Sequence, residues 1–94
     1  MLNKQMIDEA NVEMILEAIK GWPEELASNF FAENKNNLNL YDIPSETPDG
    51  WYYINVVKGI IKNDDGDVVY EADEETMKYF DNLKNEIQQV IEEN

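Results

Sequence analysis

The sequence predicts one α+β domain over residues 1–94: N-terminal helices, a short antiparallel β-meander of two or three strands, and a long C-terminal amphipathic helix. Apolar residues recur at helical spacing at both ends of the chain. Between them, an aromatic and β-branched run at 51–62 is followed by a Gly-containing turn. At 94 residues and 43% apolar the chain can bury one small core, with no linker and no second domain expected.

Asn11 suits the N-cap of a first helix, in which Met14, Ile15, Ala18 and Ile19 form the expected buried stripe. Leu2, Met6, Ile7 and Ala10 keep the same period, so the preceding turn is either a separate short helix or part of the same one. Gly21 is expected to end it. Trp22-Pro23-Glu24-Glu25 then restarts a helix, because Pro suits the first helical position and acids complement the positive end of the dipole. Leu26 with Phe30 and Ala27 with Phe31 give that helix an apolar face, which runs out in Asn34-Lys35-Asn36-Asn37.

The second half changes period. Leu38 to Ile43 reads as a short strand and Pro44 to Gly50 as a loop. Trp51 to Lys62 carries the strongest strand signal. Asn63-Asp64-Asp65-Gly66 reads as a hairpin turn, with Asp67 to Ala72 as the return strand. Asp73 caps the last helix, whose Met77, Phe80, Leu83, Ile87, Val90 and Ile91 form its apolar stripe.

A sheet covered on one side alternates apolar and polar residues. In the long strand Tyr52, Ile54, Val56 and Ile60 alternate with Trp51, Tyr53, Val57 and Ile61, so both rows are apolar. Either helices cover both faces or one aromatic row is a dimer or partner surface.

Charge narrows the function classes. Against 21 Asp and Glu stand seven Lys, with no Arg, His or Cys, for a net charge of -14. A Ser/His or Cys/His nucleophilic pair cannot be assembled, and Ser28 and Ser45 have no base of the usual kind. Carboxylate pairs do work as acid and base in glycosidases, but at this acid density neighbours arise by chance, so no enzyme and no catalytic residue is expected. The glycines, at 21, 50, 59 and 66, form no phosphate-binding loop, and no cofactor is expected.

An EF-hand reading of Asn63-Asp64-Asp65-Gly66-Asp67 fails. Placing Gly66 sixth puts Ile61 first and Ala72 twelfth, where carboxylates belong, so no metal site is expected. Trp51, Tyr52 and Tyr53 resemble a base-stacking platform in residue type, but only Lys58 and Lys62 stand near to meet phosphates. Direct nucleic-acid binding is therefore not expected. No signal peptide or apolar run of spanning length is found, so the expected location is the cytoplasm, without membrane attachment. Abundant Asn, Lys, Ile and Glu without Arg is the bias of an AT-rich coding sequence, such as that of a low-GC bacterium or its phage.

The densest run of one sign comprises Asp64, Asp65, Asp67, Glu71, Asp73, Glu74 and Glu75. Such acids also suit turns, helix starts and solubility. The sharper expectation is that they, with Glu24, Glu25 and Asp49, stand in for phosphates in the basic channel of a nucleic-acid enzyme, while Trp51, Tyr53 and Tyr70 supply apolar anchors. Phage anti-restriction and anti-CRISPR inhibitors, nuclease-toxin immunity proteins and uracil-DNA glycosylase inhibitors are used in this way. The likeness to them is one of size and charge, carried by no motif. The competing expectation is a self-associating structural or adaptor domain, such as a homodimer, whose acidity serves solubility.

Overall fold

The computed structural model describes residues 4–25, 36 and 39–92, with side chains described at 6–21, 36 and 39–92. Along the chain come α1 (Lys4–Glu25), β1 (Ile43–Thr47), β2 (Gly50–Asn55), β3 (Ile60–Asn63), β4 (Val68–Glu71) and α2 (Glu74–Glu92). The class is α+β, and the strands form one antiparallel sheet in the order β1-β2-β3-β4. The predicted meander is thus present with four strands rather than two or three.

One apolar cluster joins the sheet to both helices. Ile43, Tyr52, Ile54 and Ile61 from the strands and Val56 from the following turn meet Val12, Ile15 and Ile19 of α1 and Phe80, Leu83, Ile87 and Val90 of α2. Fully burying an aliphatic or aromatic side chain of this kind contributes about 1.5–3 kcal/mol. Among the described residues, both helices therefore lie on one face of the sheet. The cross-strand row Ile43–Ile54–Ile61–Tyr70 marks that inner face.

α1 departs from the sequence reading in four ways. It runs unbroken from Lys4 to Glu25, so Asn11 is an interior residue, buried to 2% exposure, and not an N-cap. Gly21 keeps helical dihedrals and does not end the helix, and Trp22-Pro23-Glu24-Glu25 belongs to its last turns rather than to a second helix. Pro23 has no N–H to donate to the carbonyl four residues back, so it forgoes one helical bond in the last turn. The inward stripe is Val12, Ile15 and Ile19, while Met14 is 49% exposed and Ala18 half-buried. The apolar pairs expected over residues 26–31 lie outside the described residues.

Three asparagines explain where the strands begin and end. Asn39 Oδ1 accepts from the amides of Tyr41 (2.8 Å) and Asp42 (2.6 Å), which makes a turn where the sequence predicts a strand over 38–43. β1 then occupies Ile43–Thr47, sharing only Ile43 with the predicted strand and otherwise lying in the predicted loop. Pro44 is tolerated there because β1 is an edge strand and need not donate on both sides. Asn55 Oδ1 accepts from Val57 (3.1 Å) and Lys58 (2.9 Å), and Gly59 N–H donates to Asn55 O at 2.8 Å. This tight turn splits the predicted 51–62 strand into β2 and β3. Gly59 completes it at φ 69°, in the left-handed region that favours glycine.

The split also changes which residues share a face. Ile61 pairs with Ile54 and faces the core, whereas Ile60 joins the outer row that holds Trp51 and Tyr53. Asn63 closes the last hairpin, its Oδ1 accepting from Asp65 (3.0 Å) and Asp67 (2.9 Å). β4 carries a bulge opposite Ile61/Lys62, so Val69 is the extra residue.

α2 follows the prediction closely. Asp73 Oδ1 accepts from Thr76 N–H at 2.8 Å, and Glu74 and Glu75 occupy the first turn, where the helix dipole favours acids. Phe80, Leu83, Ile87 and Val90 are buried and Met77 is half-buried, but Ile91, predicted in the stripe, is 40% exposed.

Candidate functional site

Antiparallel pairing brings the β1–β2 turn and the β3–β4 turn to the same end of the sheet, and α1 passes that end through Asp8 and Asn11. The β1–β2 turn is held from within: Thr47 Oγ1 donates to Gly50 O at 2.8 Å and accepts from Asp49 N–H at 3.3 Å. Tyr52 is an inner-face residue at this end. Its hydroxyl donates to Asp8 Oδ1 at 2.6 Å and accepts from Asn11 Nδ2 at 3.0 Å. Asn11 Nδ2 also points toward Asp49 Oδ2, at 3.5 Å. A polar network therefore ties α1 to β2 and to the β1–β2 turn.

Burial, and then the bond to the Asp8 carboxylate, push the Tyr52 hydroxyl above its ordinary value of 10.0. It stays protonated and holds the Asp8 carboxylate in place.

Around this network lies a recess of about 420 Å³ lined by Ile7, Asp8, Asp49, Gly50, Trp51, Tyr52, Asn63, Asp64 and Asp65. Four carboxylates surround it, and among the described residues no Lys lines it. Trp51, 44% exposed, forms its rim and continues onto the outer sheet face. Tyr53 follows on that face, and its hydroxyl reaches Asp64 Oδ1 at 3.5 Å. Such a site suits a cation held against an aromatic wall.

The acidic run that is continuous in sequence is divided in space. Asp64, Asp65 and Asp67 belong to the turn end with Trp51 and Tyr53. Glu71, Asp73, Glu74 and Glu75 lie at the opposite end of β4, about 13 Å away for four extended residues. Asp73 there is engaged as a helix cap, and the Thr76 backbone N–H holds its carboxyl below the usual 3.8. Lys78 shares the shallow hollow of Asp73, Glu74 and Glu75, so that end carries a countercharge. Tyr70 is not beside Trp51 and Tyr53: paired with Ile61, it turns to the inner face and packs on the core. The bulge at Val69 and the parity of the strand decide this.

Asp8 is the residue that sequence reasoning misses. It stands three positions before Asn11, within a stretch read only for its apolar period, and nothing local signals a partner 44 residues away. Glu24 and Glu25 lie in the last turn of α1, with side chains outside the described residues. Among the described residues no group of three or more acids is arranged to hold a metal ion, and no helix is long and apolar enough to cross a membrane. Comparison with known proteins finds no matching family model, no matching curated protein and no matching solved structure.

Proposed function

We propose that this chain is a small acidic inhibitor that binds a basic protein surface, in the manner of a nucleic-acid mimic. The target class that fits is a nucleic-acid enzyme of a low-GC bacterium. Its inhibition in the cytoplasm would serve a phage as an anti-defence function, anti-CRISPR or anti-restriction. The observation that carries the reading is the turn end, where Asp8, Asp49, Asp64 and Asp65 gather beside the exposed Trp51. A net charge of -14 steers such a surface toward cationic partners and away from polyanions.

The test is capture from a low-GC bacterial lysate at low and at high salt, identification by mass spectrometry, and competition of the captured enzyme with DNA. Screening shortens to about 3 Å at 1 M salt, so a complex held by these charges is released there. Changing Asp64, Asp65 and Asp67 together to Lys is expected to abolish capture and inhibition. Inhibition that survived this change would remove the hairpin from the site. The second reading, a self-associating adaptor domain, draws on the exposed outer sheet face bearing Trp51 and Val68. It calls for a dimer whose stability is indifferent to salt.

A further inference from the structure

The outer face of the sheet has a composition of its own. Trp51 (44%) and Val68 (48%) are exposed, and Tyr53 and Ile60 are half-buried between them. Glu46, Glu71 and Asp64 stand at its margins, and Lys62 is the base on the face among the described residues. Neither described helix covers it. Resting on the inhibitor reading, we infer that this face seats a cationic partner segment with an apolar row, and that it is not a surface for a second copy.

Area and charge argue for that occupant. Four strands about 4.8 Å apart and four to six residues long give a footprint of roughly 300 Å². A stable interface needs about 600–1,000 Å² from each partner. A second copy would have to extend the contact onto the margins, where two-fold symmetry sets one acidic chain against another. A cationic partner extends it without that conflict. The face is continuous through Trp51 with the acidic recess, so one partner can lay apolar groups on Trp51, Ile60 and Val68 while its Lys or Arg side chains reach Asp49, Asp64, Glu46 and Glu71. Trp is among the residue types that dominate such interfaces, and Trp51 joins the apolar row to the acidic recess.

The probe is a short peptide alternating Leu and Lys, compared with one alternating Gly and Lys at equal charge. Both are titrated into the full chain by calorimetry. Fluorescence is read in a Trp22→Phe background, where Trp51 is the remaining tryptophan. The Leu/Lys peptide is expected to bind about thirtyfold tighter, the ratio one hot spot supplies, with a blue shift of Trp51 emission. Trp51→Ala by calorimetry and Val68→Ser by both readouts should each lower its affinity toward that of the Gly/Lys peptide, with circular dichroism unchanged.

Equal affinity of the two peptides with a silent Trp51 overturns this inference while leaving the charge-based function standing. Failure of both peptides to bind at low salt overturns both. Sedimentation equilibrium is expected to give a monomer. A dimer that Trp51→Ala dissociates replaces the cationic partner with a second copy and overturns the inference.

Discussion

Tyr52→Phe tests whether the polar network at the turn end joins α1 to the sheet. The substitution keeps the ring and its packing, with Tyr52 only 4% exposed, and removes one hydroxyl. That hydroxyl makes a short bond to the Asp8 carboxylate and satisfies Asn11, itself 2% exposed. A hydrogen bond to a charged group is worth about 1.5–3 kcal/mol, and a buried donor left without a good partner costs about 1–3 kcal/mol. Asp8 is half-exposed and recovers water, and Asn11 keeps its 3.5 Å approach to Asp49, so both terms fall at the low end. The expected loss is about 2 kcal/mol, or about 10 °C in Tm for a domain of this size.

Urea unfolding measures this as a lower midpoint at constant m-value. The sign of the pH effect follows from the raised Tyr52 pKa. Folding favours the protonated hydroxyl, so its contribution is complete below the unfolded value near 10 and is lost as pH rises through the folded value. The gap between wild type and Tyr52→Phe should be flat below about pH 9 and narrow above pH 10. A double-mutant cycle with Asn11→Ala is expected to show coupling of about 1 kcal/mol. A loss under about 0.5 kcal/mol, the range of an ordinary surface change, would refute the view that this network holds the turn end together.

Gly59→Ala should destabilise by about 2 kcal/mol, because φ is 69° and the added methyl meets the Met77 sulfur. Met77→Ala in the same chain should recover the steric part of the loss but not the backbone part, as read by thermal denaturation. Phe80→Ala, at a fully buried position on α2, is expected to cost about 4 kcal/mol in urea unfolding, the largest of these effects. Asp73→Ala should lower Tm at neutral pH. The lowered Asp73 pKa makes its contribution present above the unfolded value of 3.8 and lost as pH falls through the folded value, so melts of wild type and variant should converge in acid.

The elements legible in the sequence were those whose signals are local and repeated. α2 shows this best: its stripe from Phe80 to Val90 and its Asp73 cap need no information beyond one helix. The Asn63–Gly66 turn and its return strand likewise depend on neighbouring residues. The 51–62 run was misleading because every residue in it suits a strand, while the break rests on one side chain, Asn55, and a glycine four positions on. β1 was hidden by Pro44, which reads as a loop residue unless the strand is known to lie at an edge. That Tyr70 turns inward, away from Trp51 and Tyr53, is not legible in composition, because the bulge that shifts the strand's parity depends on pairing.

Composition alone determined the charge, the absence of His, Cys and Arg, and with them the kinds of chemistry the chain lacks residues for; periodicity determined the class of fold. Only the tertiary structure decided which acids stand together. Strand pairing brought Asp49, Asp64 and Asp65 to one end, α1 added Asp8, and the length of β4 carried Asp73, Glu74 and Glu75 away to the other. The physical reason is that propensity acts over a few residues, whereas the distance between charges is set by register and helix packing across the whole chain.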